Sequence, residues 1–303
     1  MSKTVFVLLL GNEAGDPVDL YQALQRTEAM AQGKAAEIRV EVACAPGYDQ
    51  FRVLKKRLAD ASSPVDAVLA EPASGSTLGL ILKDLKGRTG LVLLNAWDPL
   101  IEESARDWGG GHPLATVSMP HERIGEIQGA QVSRVVPPNG SVLVVTGPSR
   151  SSAAQERLRG LRATARPDIQ VHDTEAGQWS EAAGIIAFNS WYGIFKSRSD
   201  EVVHAIVGQS DDVAMGARAA AAAVPNAQHA AMFAKARVLG VGACPGYGRE
   251  LVDNGTLHAS VVAPPTTGTA IGLLRRFWQD GKPPALRSFN TALPYPATSV
   301  EAS

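Results

Sequence analysis

The sequence predicts an α/β fold in which two doubly wound parallel-sheet lobes are joined by hinge crossovers. Short, almost wholly apolar runs alternate with longer amphipathic stretches along the chain, and this rhythm is typical of parallel strands that helices cover on both faces. The rhythm breaks at three consecutive glycines, Gly109 to Gly111, and restarts near residue 141. At 303 residues the chain is also longer than one hydrophobic core usually covers, which favours two lobes.

The first half of the chain predicts four strand–helix units and one further strand. Asp16 and Pro17 are expected to open the first helix, because Asp can accept hydrogen bonds at an N-cap and Pro fits the first helical turn. The apolar runs predict strands at residues 5–10, 38–44, 65–70, 91–94 and 114–118. The later helices are expected at about residues 49–61, 76–85 and 100–108.

The second half repeats the same organisation after a turn cluster at residues 137–140. Strands are predicted at residues 141–146, 169–172, 203–207 and 237–241, with an extended stretch at 257–262. Helices are predicted at residues 122–136, 152–165, 180–196, 211–222, 247–254 and 267–279. Pro264-Pro265 marks a crossover. We therefore expect a first lobe of residues 1–117 plus 264–290 and a second lobe of residues 118–263 plus 291–303.

The composition argues against several classes of function. The formal net charge is −1 and the 29 Lys and Arg residues are scattered, so no nucleic-acid partner is expected. No apolar run approaches the ~20 residues of a membrane-spanning helix. The two cysteines, Cys44 and Cys244, are expected to be buried thiols, and no metal site or cofactor is predicted. As written, the chain shows no export signal and predicts a cytoplasmic protein; a chain that had lost its signal would instead be periplasmic.

Candidate ligand-binding residues follow the predicted strands. In an open parallel sheet, ligands bind at the carboxyl ends of the strands. These ends are rich in amides, carboxylates, hydroxyls and tryptophan, the mixture that bonds the hydroxyl groups of a sugar and covers its C–H surfaces. A small polar, carbohydrate-like ligand is therefore expected. The predicted ligand-binding residues are Asn12, Asn95, Trp97, His121, Ser152, Trp179, Ser210 and Asp211.

Several of these residues also have a purely structural interpretation. Ser210 and Asp211 precede a predicted helix, so N-capping explains them as well. Asn95 is equally a turn residue, and Trp97 and Trp179 can pack against an edge or a helix. The turn at residues 147–152 has free backbone N–H groups and is a weaker candidate for binding an anion.

Four segments together resemble the periplasmic sugar-binding proteins of ABC transporters and the related ligand-binding domains of lactose-repressor-type regulators. Residues 206–217 look like the family's strand that ends in Asn-Asp before a helix. The other three similar segments are residues 65–72, 151–160 and 238–261. The resemblance covers nearly the whole chain and implies the type I periplasmic-binding-protein fold. It also implies a ligand held between the lobes and trapped by hinge closure.

The chain departs from this family at positions where the resemblance implies sugar contacts, so we expect a ligand other than a standard hexose or pentose. Where the family has charged or amide side chains, this sequence has Asn95, His121, Gln155, Ser210, Gly242 and Ala263.

Three functions follow from the sequence. The first is a solute receptor for a sugar, polyol or sugar derivative, working with an ABC permease. The second is a cytoplasmic ligand-sensing subunit that signals to a sensor kinase or another partner. The third, an enzyme, is disfavoured because known catalytic motifs are missing. The pairs His121-Glu122 and Asp211-Asp212 are adjacent in sequence, so their side chains point apart.

Overall fold

The computed structural model describes residues 3–16, 19–197 and 201–300. The chain divides into two compact units and passes from one to the other three times. The passages lie between Met119 and Pro120, between Pro264 and Pro265, and between Asn290 and Thr291.

The described residues form strands that alternate with helices, and the two main sheets are parallel. The strands are β1 (Thr4–Leu10), β2 (Arg39–Ala45), β3 (Ala67–Ala70), β4 (Gly90–Leu94), β5 (Leu114–Ser118), β6 (Ser141–Thr146), β7 (Gln170–Glu175), β8 (Val203–Gly208), β9 (Arg237–Leu239), β10 (Ser260–Val262), β11 (Arg287–Phe289) and β12 (Leu293–Tyr295). The helices are α1 (Leu20–Ala35), α2 (Gln50–Leu58), α3 (Gly75–Leu85), α4 (Pro99–Ala105), α5 (His121–Val135), α6 (Ser152–Thr164), α7 (Glu181–Phe195), α8 (Asp211–Ala222), α9 (Ala227–Phe233), α10 (Gly248–Asp253) and α11 (Thr266–Asp280), followed by a short 3-10 helix at Ala297–Ser299.

The first unit is built on a six-stranded sheet in the order β11-β5-β4-β3-β1-β2. Every neighbouring pair in this sheet is parallel. Strand β1 supplies side chains to both faces because successive residues of a strand point in opposite directions. Val7 packs on one face with Leu274 of α11, and Leu8 packs on the other with Leu54 of α2 and Ile81 of α3. The sheet is therefore buried on both sides.

The second unit has a parallel four-stranded sheet in the order β7-β6-β8-β9. On one face Val145 packs with Phe188 of α7, and on the other Val144 packs with Leu161 of α6. A bridge between Leu239 and Ala259 extends the sheet beyond β9. Strands β10 and β12 form a separate antiparallel pair.

Glycines bring α5 and α6 into close contact within the second unit. A Cβ atom added to Gly125 would lie 2.0 Å from the carbonyl oxygen of Arg157, and one added to Gly160 would lie 2.1 Å from that of Glu122. Only glycine permits this approach of the two backbones. The contact places the start of α5, with His121, beside the first turns of α6.

The fold class predicted from the sequence is confirmed, with differences in detail. The first helix begins at Leu20, later than Asp16, because Asp19 is its N-cap and accepts from the Gln22 amide at 2.9 Å; Pro17 lies outside the described residues. The end of the helix predicted at 100–108 also shifts, since α4 ends at Ala105 and Trp108 is buried in the core instead. Helix α9 and strands β11 and β12 were not predicted.

Both cysteines are buried free thiols, as expected. Within the described ranges, no helix has the length and apolar character needed to cross a membrane.

Candidate functional site

Asn95 lies at the carboxyl edge of the first sheet and joins the ends of three strands. It directly follows β4 and adopts a left-handed backbone conformation with φ of +53°, which Asn tolerates better than most residues. Its Nδ2 donates to Glu71 Oε1 at 3.0 Å and to the Tyr21 hydroxyl at 3.4 Å. Its Oδ1 accepts from the Met119 amide, beyond β5, at 3.2 Å. The side chain is therefore held in one orientation at the sheet edge.

Glu71 is the centre of a polar cluster at this edge. It follows β3, and its Oε2 accepts from Gln22 Nε2 of α1 at 2.6 Å. Burial raises the pKa of Glu71, while the hydrogen bonds from Asn95 and Gln22 act in the opposite direction. We call Tyr21, Gln22, Glu71 and Asn95 the Glu71 cluster. It presents amide, carboxyl and phenol groups together, as a polyhydroxylated ligand requires.

Trp97 and Asn12, two other predicted ligand contacts, stand apart from this cluster. Trp97 is 36% exposed, and the Arg287 guanidinium lies 4.5 Å from the centroid of its ring. The same guanidinium lies 4.7 Å from the ring of Phe289, so the three side chains form a stack. Asn12 is exposed, and its Oδ1 accepts from the amides of Ala14 and Asp16, which folds its own loop.

Arg157 brings two of the predicted residues together at the carboxyl edge of the second sheet. Its Nη2 lies 3.4 Å from His121 Nδ1, and its guanidinium lies 5.2 Å from the centroid of the Trp179 ring. Its Nη1 donates to the backbone oxygen of Gln209, which follows β8. We call His121, Arg157 and Trp179 the Arg157 cluster. It combines a fixed cation, an imidazole and a large aromatic surface.

His121 is neutral in this environment. Burial, followed by the positive charge of Arg157, lowers the pKa of His121 to about 3. A neutral ring whose Nδ1 accepts from Arg157 carries its proton on Nε2, where it can donate to a ligand oxygen. Trp179 is fixed by close packing, because a Cβ on Gly147 would lie 2.1 Å from its ring.

Ser210 and Asp211 serve local structure at the start of α8. The Ser210 hydroxyl accepts from the Val213 amide at 3.1 Å, as an N-cap does. Asp211 is buried, and its oxygens accept from the Ser260 hydroxyl and the Ala243 amide, each at 2.7 Å. Burial raises the pKa of Asp211 to about 6, although these two hydrogen bonds oppose the shift. Asp211 thus ties α8 to the segment that follows β9.

Three glycines make room for the Asp211 carboxylate. A Cβ on Gly240, Gly242 or Gly248 would lie 2.1, 2.6 or 2.0 Å, respectively, from one of its oxygens. These glycines close over the carboxylate and explain its burial.

The start of α6 leaves Ser152 exposed, and its hydroxyl makes no hydrogen bond with the rest of the described chain. The preceding turn had suggested an anion site. Its Gly147 amide donates to Gln209 Oε1 at 3.0 Å, and its Ser149 amide donates to Glu175 Oε1 at 2.8 Å. These two amides are therefore engaged within the protein.

The sequence interpretation did not select Gln22, Glu71 or Arg157. Glu71 had a usable signal, because it is a carboxylate directly after an apolar strand. Arg157 lies inside α6, beyond its first turn, and nothing in its sequence context shows that it reaches His121 and Trp179. In the described part of the chain, no group of three or more His, Cys, Asp and Glu side chains is arranged to hold a metal ion.

Comparison with known proteins identifies the family. The model of the family described as Periplasmic binding protein domain matches residues 19–272. No curated protein matches the chain in sequence.

Solved structures share the fold over almost the whole chain. A periplasmic ribose ABC transporter protein from Conexibacter woesei is 20% identical, with a TM-score of 0.75 over 99% of this chain and 93% of that one. A periplasmic solute-binding protein from Actinobacillus succinogenes, with bound D-allose, is 16% identical, with a TM-score of 0.77 over 97% of each chain. The fructose-binding periplasmic domain of a hybrid two-component system is 18% identical, with a TM-score of 0.72 over 96% of this chain and 90% of that one.

Proposed function

The chain is a member of the periplasmic binding protein family, and we propose that it is a solute-binding receptor for a small carbohydrate-like ligand that it delivers to an ABC permease. In this role it acts in the periplasm and releases its ligand unchanged. Relatives of the same fold include proteins named for ribose transport and found with D-allose, which supports a ligand of this chemical class.

The observation that carries the proposal is the pair of polar clusters at the carboxyl edges of the two sheets. The Glu71 cluster offers a carboxyl, two amides and a phenol. The Arg157 cluster offers a guanidinium, a neutral imidazole and an indole face. Paired donors and acceptors beside an aromatic surface are suited to sugar hydroxyls and to the C–H face of a ring.

We propose that these clusters, with Asn12, Trp97 and Ser152, supply the ligand contacts. Ser210 and Asp211 then contribute by holding the start of α8 in place. The Glu71 cluster contains an acid and the Arg157 cluster a cation, so a ligand with both donor and acceptor groups fits better than an apolar one. A sugar, a polyol or a sugar derivative meets this requirement.

A thermal-shift panel of pentoses, hexoses in pyranose and furanose forms, polyols and sugar acids tests the proposal. A ligand at about one hundred times its Kd adds about 2.7 kcal/mol to the free energy of unfolding, which raises the melting temperature by several degrees. Glu71→Gln should abolish that rise, because it replaces one of the two carboxylate oxygens that accept from Gln22 and Asn95 with an NH₂ group, which can only donate. Glu103→Gln, which changes an exposed carboxylate on α4, is the matched control and should retain it.

A ligand-sensing subunit is a second candidate, because a sugar-binding domain of a two-component system shares the fold. The two functions can be distinguished by identifying the protein that binds the ligand-bound receptor in membranes of the native cell. A permease supports transport, and a sensor kinase supports sensing. Conversion of the bound ligand into a product would contradict both.

A further inference from the structure

A cavity lies at the amino edge of the second sheet, opposite the edge that carries the Arg157 cluster. It has a volume of about 620 Å³ and is lined by the residues that precede and begin β8 and β9 and by α9. We call it the amino-edge cavity. The Arg157 cluster lies at the carboxyl ends of the same strands, and β8 is six residues long, so the two locations are separated by about 20 Å.

The polar side chains of this cavity are mainly basic. Lys235 and Arg237 line it, both are exposed, and neither forms an ion pair with a residue of the described ranges. The one acid in the lining, Glu201, is paired with the ring of His172. Burial is the main cause that lowers the pKa of His258, and the charges of Arg237 and Arg134 lower it further, so these two cations add a positive potential on this side of the unit.

A buried histidine provides an observation independent of these surface charges. His229 lines the cavity, yet only 6% of it is exposed. Its Nδ1 is held by the Tyr192 hydroxyl at 3.0 Å, and its Nε2 makes no hydrogen bond with any described residue. A hydroxyl that donates to Nδ1 leaves the proton on Nε2, where it can donate to an acceptor in the cavity.

His204 adds a second donor of the same kind. It lines the cavity near the start of β8, and its Nδ1 accepts from the Ser141 amide at 3.2 Å. Because that ring nitrogen accepts, the proton of the neutral ring lies on Nε2. The cavity therefore combines two imidazole donors and two cations with apolar side chains such as Val135 and Met232.

We propose that the amino-edge cavity binds a small metabolite bearing a carboxylate or phosphate group, with Lys235 and Arg237 neutralising the anion and His204 and His229 donating hydrogen bonds to its oxygens. Charge-assisted hydrogen bonds of this type are the strong ones in proteins. The apolar lining accommodates the carbon portion of the metabolite. The site is separate from the proposed carbohydrate site and is occupied independently of it.

Calorimetric titration with inorganic phosphate and with malonate tests the proposal. The intact chain should bind at least one probe saturably, and Lys235→Met/Arg237→Met should weaken that binding by on the order of tenfold or more. The control Arg275→Met/Lys282→Met makes the same charge change at exposed positions of the first unit and should leave binding unchanged. Tighter binding of phosphate indicates a phosphate-bearing ligand, and tighter binding of malonate indicates a carboxylate.

A second measurement follows the histidine rings by NMR during the same titration. The Nε2 resonances of His204 and His229 should shift as the probe is added, and the Kd fitted to these shifts should equal the Kd from calorimetry. His229→Gln should weaken binding. The absence of saturable binding for both probes, or an equal loss in both double variants, would overturn the proposal. Carbohydrate binding should be the same in all these variants. A failure to bind carbohydrate would therefore count against the proposed receptor function and not against the anion site.

Discussion

Replacing Asp211 by Asn should remove a large pH dependence from the stability of the protein. The carboxyl is buried and its pKa is raised to about 6 from its ordinary value of 3.8. The folded state therefore binds this proton more tightly than the unfolded state does. The stabilisation is complete below about pH 4 and is lost as the pH rises through 6. The difference between the two pKa values corresponds to about 3 kcal/mol in the free energy of unfolding.

The amide side chain that Asp211→Asn introduces can keep both contacts. Its oxygen can accept from the Ala243 amide, and its NH₂ group can donate to Ser260, since a hydroxyl both donates and accepts. The variant therefore has no charge to bury at neutral pH. We expect the stability of Asp211→Asn relative to the wild type to rise by about 2 kcal/mol between pH 4.5 and pH 7.5. The cost of the rearranged hydrogen bond is the same at both pH values and does not affect this change.

Urea unfolding followed by tryptophan fluorescence at pH 4.5, 6.0 and 7.5 measures this difference. Asp212→Asn is the matched control, because Asp212 is the adjacent carboxylate and is only partly buried. It should show no comparable trend. A stability difference for Asp211→Asn that does not change between pH 4.5 and 7.5 would refute the reasoning, since it would mean that the two hydrogen bonds offset burial completely.

Three further predictions concern the helix contact and the Arg157 cluster. Gly125→Ala should destabilise the protein by about 1–3 kcal/mol, whereas Gly193→Ala, whose Cβ meets no atom within 4 Å, should stabilise α7 by about 0.5–1 kcal/mol in urea unfolding. Arg157→Met should raise the pKa of His121 above about 3 in an NMR titration, because the positive charge is removed. The pKa should stay below 6.5, because burial is the larger cause of the shift. A pKa of 6.5 would contradict this prediction. Trp179→Ala should weaken carbohydrate binding by about tenfold in calorimetry, and an unchanged Kd would remove the indole from the site.

Most of the fold could be predicted from the sequence because the information is local. The strands that are buried on both faces are apolar runs, and β1 is a clear example, with both faces covered. Helix α9 was missed because it has seven residues and little amphipathic pattern; its N-cap, Asn226, is the one local signal. Strands β11 and β12 have three residues each and depend on partners far away in the sequence.

The candidate site was predictable only in part because its contacts are tertiary. Asn95 was placed correctly after a strand, but its partners Glu71 and Tyr21 lie 24 and 74 positions away. The sequence identifies Asp211 as a candidate ligand contact because it is polar and lies near the end of a strand. Its burial depends on glycines at positions 240–248, whose role is visible only when they pack against it.

The central claim is that this member of the periplasmic binding protein family is a carbohydrate-type solute receptor. Titration calorimetry of the purified protein with the carbohydrate that gives the largest thermal shift tests it most directly. We predict saturable binding with one ligand per chain, and recovery of the ligand chemically unchanged. The claim would be contradicted if no sugar, polyol or sugar acid gave saturable binding heat. Recovery of a reaction product in place of the ligand would also contradict it.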